Sequence, residues 1–180
     1  EGLGVHVERR ALASLGPAFD ACRTVVQCTG AGAAALIGDP AVRPVRGQVL
    51  CVDPAVAARG TFAFDDSDPA RPTYVIHRRD DVILGGTFEP DNTDPEPDEA
   101  QVDEILARCA PLALRTPTRA DVRAVKVGFR PWRTSIRVER MDLPEGIALV
   151  HNYGHGGSGM TLAWGCADEV CELLARPRSR

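Results

Sequence analysis

No CxxC pair occurs among the six cysteines, Cys22, Cys28, Cys51, Cys109, Cys166 and Cys171. That spacing argues against a compact zinc site or a dense disulfide scaffold, so buried free thiols and a reducing, intracellular setting are expected. No run of about 18 apolar residues and no basic-apolar-small leader precedes the domain, so a soluble protein is expected. There is no Walker loop, and no GxGxxG dinucleotide fingerprint is expected in the chain. Nor is there an excess of positive charge: the formal net charge of -4 gives no footprint for a polyanion, so no nucleic-acid partner is expected. No internal repeat is apparent. The chain does not end in Ser-Lys-Leu, which removes one peroxisomal cue and leaves the cytoplasm as the expected compartment.

What is present is a globular composition rich in turns, with 17 glycines and 14 prolines against a hydrophobic fraction of 44%. The length of 180 residues suits one cored domain or a large part of a two-part enzyme. The chain opens at Glu1, with Val5 and Val7 alternating almost at once, so residues 3–8 are expected to form a short strand and the chain to begin inside a larger fold. Strands are also expected at 24–28, 47–52, 73–76, 82–88, 122–129, 136–139 and 147–150. The charged stretch at 78–81 joins two of these as a hairpin, and Pro131-Trp132 makes a turn between two others. Residues 57–72 and 90–97 read as polar loops. Helices are expected after Pro97, on the spacing of Val102, Ile105, Leu106 and Cys109, and from Leu162 through Cys166, Val170, Leu173 and Leu174 to Pro177.

Four groups could carry chemistry. Gly154, Gly156, Gly157 and Gly159 lie between a strand and a helix, where a backbone without side chains passes close to a flat ring and offers free amides. A purely structural loop is the other reading. Arg130, at the end of an apolar strand before Pro131, has the geometry for a bidentate contact with a carboxylate, or is a surface arginine. Tyr74 combines an apolar ring with a hydroxyl donor for an anion, or is a core or rim tyrosine. His151 and His155 are four residues apart, but in strand and loop and without a credible third ligand. No metal is expected, and His151 reads as a hydrogen-bonded core histidine.

The stretch ALVHNYGHGGSGMTLAWGCA (148–167) resembles the signature of the D-amino-acid oxidase family almost position for position. Three more stretches are similar to that family in the same order: VVQCTGAGA (25–33) followed by VRGQVLCV (45–52), YVIHRRDDVILGGTFE (74–89), and VGFRPWRTSIRVE (127–139). The resemblance runs from about residue 5 to the end. It implies an α/β fold, α+β in part: the C-terminal portion of a two-domain FAD-dependent oxidase with a mostly antiparallel substrate-domain sheet. The implied division is 1–52 and 141–180 in the FAD domain, and 53–140 in the substrate domain.

The same resemblance places Arg130 and Tyr74 on the substrate carboxylate, with Gly157 beside it. It assigns FAD contacts to Thr29, Gly30, Arg46, Gly47, Gln48, Arg130, Gly156, Gly157, Ser158, Gly159, Met160 and Thr161. The activity implied is oxidation of a D-amino acid by hydride transfer to FAD, with dioxygen reduced to hydrogen peroxide and the imine hydrolysed to a 2-oxo acid and ammonia. No side chain is implied as a catalytic acid or base; positioning does the work. D-aspartate or glycine oxidation, or an inactive truncated fragment, are the alternatives. D-aspartate would want a further cation, and Arg71 is the nearby one in sequence. Ala70 stands where vertebrate members carry a second tyrosine, His77 where proline is common, and Ala31-Gly32 in place of a bulkier pair. The implied N-terminal βαβ unit, with its pyrophosphate turn and ribose-binding acid, has no counterpart here, so its missing segment is expected as a partner. A homodimer is left open.

Overall fold

The computed structural model describes residues 4–177. In chain order these form α1 (Gly16–Ala21), β1 (Thr24–Gln27), α2 (Ala33–Ile37), β2 (Arg43–Val52), β3 (Phe62–Asp65), β4 (Thr73–His77), β5 (Val82–Gly85), β6 (Glu89–Pro90), α3 (Glu99–Cys109), β7 (Val122–Leu143), β8 (Ile147–His155) and α4 (Gly159–Ala175). The chain divides into two compact units. One comprises the described residues up to Val42 together with those from Arg133 onward; the other is Arg43–Trp132. The borders differ from the expected 1–52, 53–140 and 141–180. β2 pairs along its length with β7 and also with β5 and β6, so it belongs with the hairpin strands.

In the second unit, the first part of β7, then β2, β5, β4 and β3, lie side by side and antiparallel, with β6 also on β2. Helix α3 packs on β2, β4 and β5. Asp98 caps it by accepting from the Ala100 amide, and Glu99 and Arg108 sit at the ends that suit their charges. Its apolar residues Val102, Ile105, Leu106 and Cys109 recur on one face and meet Leu50, Val52, Val75, Val82 and Leu84 in a single core. In the first unit β1 pairs parallel with β8, Gln27 opposite His151. Val150 of β8 packs with Val170 and Leu173 of α4.

Several expectations need correction. Residues 4–8 pair with no strand, and Val5 and Val7 are 75% and 85% exposed: alternation without a partner strand makes no sheet. Leu3, the first residue of that expected strand, lies outside the described residues. The expected loop at 57–72 contains β3, where Phe62 and Phe64 flank Ala63. Pro131-Trp132 is no turn, because β7 runs straight through it. Pro131 faces Pro44 on β2, a rung where neither residue has an amide to donate, so proline costs the ladder nothing there. β8 continues to His155 and α4 begins at Gly159, so the connection between them is shorter than expected. All six cysteines are free, but Cys22, Cys28 and Cys171 are exposed. Among the described residues no helix is long and apolar enough to cross a membrane.

Arg46 holds the acidic loop onto the second unit. Its side chain is 2% exposed and donates to Glu89 Oε1 (2.7 Å), the Asp94 carbonyl (2.8 Å), Gln101 Oε1 and Gln48 Oε1 (both 3.3 Å), and the Glu96 carbonyl (2.5 Å). Burial pushes the Glu89 carboxyl up, but bonds from Thr87, Asn92 and Arg46 outweigh it and hold the group below its ordinary value. Arg46→Met leaves that carboxylate and two carbonyls without their donor, and should cost about 3–5 kcal/mol in urea unfolding. The loss should shrink as pH falls through the depressed Glu89 pKa, since the wild type then loses the same contribution. An unchanged midpoint at neutral pH would contradict this role.

Candidate functional site

The guanidinium of Arg130 lies across the backbone of Gly47. A Cβ at position 47 would sit 2.6 Å from Arg130 Cζ, so only glycine leaves room. Nη1 of Arg130 donates to the carbonyls of Thr87 (3.2 Å) and Arg46 (3.4 Å), which fixes the plane of the group. Among the described residues no carboxylate pairs with Arg130. Tyr74, on β4, lies over β5 in the same way: a Cβ on Gly85 would fall within its ring, and one on Gly86 would lie 2.9 Å from its hydroxyl. Burial raises the Tyr74 pKa, while the nearby Arg130 guanidinium works to lower it. A half-buried cation that no carboxylate among the described residues pairs, beside a phenol, has the chemistry to bind a carboxylate: the guanidinium supplies charge and planar donors, and the hydroxyl a further donor.

The end of α3 braces this floor. Burial pushes the Cys109 thiol up to about 11. It therefore stays protonated and donates to the carbonyls of Tyr74 and Gly85, both at 3.5 Å. Arg108 donates to the carbonyls of Arg71 (2.9 Å), Pro72 (3.3 Å) and Gly86 (3.0 Å) and to Thr73 Oγ1 (2.8 Å). Phe64 stacks parallel to Tyr74 at 5.7 Å and is 53% exposed, giving the tyrosine an apolar flank. Arg71 is ion-paired with Glu104 and lines a 260 Å³ cavity with Asp65, Asp68 and Arg108.

The second group of expected site residues lies in the other unit, at the carboxyl ends of β1 and β8. Residues 154–159 read GHGGSG, a literal match to G-x-G-x-x-G, which corrects the expectation that the chain has no such string. Its context differs from the dinucleotide fingerprint: Gly154 is still in β8, and no strand follows α4 among the described residues. Gly154 and Gly156 have φ of +89° and +55°, which glycine adopts freely. Ser158 does not cap α4 with its side chain, and no acidic residue occupies the first turn, so the amides of Gly159, Met160 and Thr161 are available to an electron-rich group.

Thr29 and Gly30 lie just past β1, with Gly30 at φ +56°, and Gln27 bonds the Thr29 hydroxyl through its amide nitrogen. Gln27 Oε1, His151 Nδ1 and Asn152 Oδ1 are buried without a hydrogen-bond partner. Gln27 and His151 are paired across β1 and β8, and their two acceptor atoms with the free amides at the start of α4 suit the chemistry of FAD, which carries hydroxyl and ring N–H donors as well as an electron-rich ring edge. Arg46 and Gln48, also expected near the cofactor, turn their side chains to the acidic loop, since Gln48 accepts from the Asp98 amide and donates to its carbonyl, both at 2.8 Å.

Sequence reasoning missed Gly85, Gly86, Arg108, Cys109 and Phe64 around the carboxylate receptor, and Asp39, Arg133, Arg137 and Tyr153 behind the glycine turn. The Gly-Gly dipeptide inside a strand was the available signal for the first group.

Both tyrosines of the chain, Tyr74 and Tyr153, have pKa values raised chiefly by burial. A raised phenol stays protonated in the folded chain where the unfolded one ionises, so stability should fall as pH rises from about 10. Near-ultraviolet titration at that pH should show less phenolate in the folded chain than after denaturant is added. Equal phenolate in the two states would contradict the raised values.

Residues 2–173 match the family model described as FAD dependent oxidoreductase. The chain is 44% identical over 172 residues to a D-amino-acid oxidase of Rubrobacter xylanophilus, covering 96% of this chain and 52% of that protein. It is 47% identical over 174 residues to one of Streptomyces coelicolor, with the same coverage, and 36% identical over 164 residues to the human D-aspartate oxidase, covering 89% of this chain and 46% of that protein. Among solved structures, glycine oxidase from Geobacillus kaustophilus shares the fold, with a TM-score of 0.66 and 23% identity over 87% of this chain and 42% of that one. The chain thus spans about half the length of the curated relatives it matches. With nearly its whole length matched, the chain belongs to the FAD dependent oxidoreductase family.

Proposed function

We propose that this chain is the C-terminal portion of a D-amino-acid oxidase, carrying the substrate-carboxylate receptor and the flavin-ring side of the cofactor site. A preceding βαβ segment would hold the pyrophosphate and ribose. The observation that carries the reading is Arg130, half-buried on Gly47 beside Tyr74 and paired with no carboxylate among the described residues. The relatives, named D-amino-acid oxidases, support it. So does the length matched, about half of each relative.

When bound, FAD would take a hydride from the substrate α-carbon and pass the electrons to dioxygen, giving hydrogen peroxide and an imine that hydrolyses to a 2-oxo acid and ammonia. The residues of this chain bind and orient. Arg130 would hold the carboxylate by charge and planar donors, and Tyr74 would donate to the same carboxylate and limit its rotation. Thr29, Gly30 and the segment from Gly156 to Thr161, with Gly157 also beside the substrate, would seat the ring. Amides at the start of α4 would stabilise negative charge that grows at the ring edge on reduction.

Arg130→Ala and Gly47→Ala test this in the full-length enzyme, the first removing the guanidinium and the second displacing it. Losing a buried partner of a carboxylate costs about 2–5 kcal/mol, so kcat/KM for D-alanine should fall roughly 30-fold or more, mainly through KM. Flavin affinity should change far less. An unchanged KM in Arg130→Ala, with flavin bound normally, would reject the assignment.

A further inference from the structure

Asp39 is a buried carboxylate that substrate binding does not use. Its Oδ2 accepts from the Tyr153 hydroxyl (2.6 Å) and Arg133 Nε (3.2 Å), and its Oδ1 from the Ala41 amide (2.9 Å). Arg137 lies 3.7 Å from the same carboxylate and donates to the Tyr153 oxygen (2.7 Å) while reaching over that ring. Asp39 is 8% exposed and Tyr153 1%. The bond from Tyr153, with help from Ala41 and Arg133, holds the Asp39 carboxyl below its ordinary value despite burial.

The position of the cluster gives it a role. Asp39 stands just beyond α2, whose N-terminal end is the turn at 29–32. Tyr153 directly precedes Gly154. The Arg133 side chain fills the space beside Gly154, its Cβ and Cδ 2.9 and 3.1 Å from where a Cβ would stand. One carboxylate therefore links the two glycine turns assigned above to the flavin, and all its partners lie within the first unit. The link matters because neither turn is fixed by local structure alone: α2 has five residues, too few to hold a helix unaided, and glycine loses more conformational entropy on being ordered than any other residue. A ligand binding to unlinked turns would have to order them, at the expense of affinity.

We propose that Asp39, acting through Tyr153 and Arg133, is a positioning residue that holds the turns at 29–32 and 154–159 in the spacing the flavin requires. It touches neither cofactor nor substrate, and the inference rests on the flavin reading given above.

The test compares Tyr153→Phe, which removes only the hydroxyl, and Asp39→Asn with the core variant Val170→Ala in the full-length protein. Three quantities are read: amide exchange across residues 154–160 in flavin-free protein, the FAD dissociation constant, and KM for D-alanine at saturating FAD. Loss of a hydrogen bond to a buried charge should weaken FAD about tenfold in Tyr153→Phe. Exchange across 154–160 should be faster and KM unchanged. Val170→Ala should lower Tm without faster exchange in the turn or weaker FAD binding. Unchanged exchange and normal FAD affinity in Tyr153→Phe would overturn the proposal and leave the flavin reading standing. Faster exchange in a protein whose wild type binds no FAD would keep the link and overturn the flavin reading. Equal effects in Tyr153→Phe and Val170→Ala would reduce the cluster to general stability and overturn it.

Discussion

The guanidinium of Arg130 and the phenol of Tyr74 reach their positions because Gly47, Gly85 and Gly86 put no atoms there. Two long side chains from β7 and β4 lie on bare backbone of β2 and β5, and a methyl group at any of the three positions would move one of them. The surrounding structure serves this contact. The end of α3 holds the backbones of residues 71–74 and 85–86 through Arg108 and Cys109, so the tyrosine rests on a fixed surface. The result is a cation with its plane set by two carbonyls and no acidic partner among the described residues. Such a group is costly to bury unless something anionic completes it, which is why it reads as a receptor and not as a structural ion pair.

A contrast within the same unit sharpens the point. Arg46 is more buried than Arg130, yet its donors all end on protein acceptors, Glu89 among them. Two arginines on paired strands thus differ: one closes the fold on a carboxylate, and the other meets no carboxylate among the described residues. The first unit shows the complementary condition. Its glycine turn offers amides without acceptors, and Gln27, His151 and Asn152 bury acceptor atoms without donors.

For Arg130 and Tyr74 the sequence offered residue types able to bind an anion, but local pattern left surface or rim roles open, and the resemblance alone proposed the carboxylate. The resemblance across 148–167 supplied the cofactor, which spacing alone did not. The parts that were not legible depend on distant partners. Asp39 and Tyr153 are 114 residues apart, and no local pattern relates them. Gly85 and Gly86 fell within an expected strand at 82–88, and only the position of Tyr74 over them shows why both lack side chains. Pro131 suggested a turn because proline ordinarily ends a strand, and only its pairing with Pro44 explains why β7 continues. The alternation at Val5 and Val7 is a real strand pattern, but a strand needs a neighbour, and the described chain gives it none.

The central claim is that Arg130 and Tyr74 together recognise a free carboxylate. Nuclear magnetic resonance of the Arg130 side-chain N–H groups in the full-length protein measures this directly, with D-alanine added and then its methyl ester. Saturable shifts with the acid and none with the ester are predicted. Equal responses to both, or a response confined to other arginines, would contradict the account.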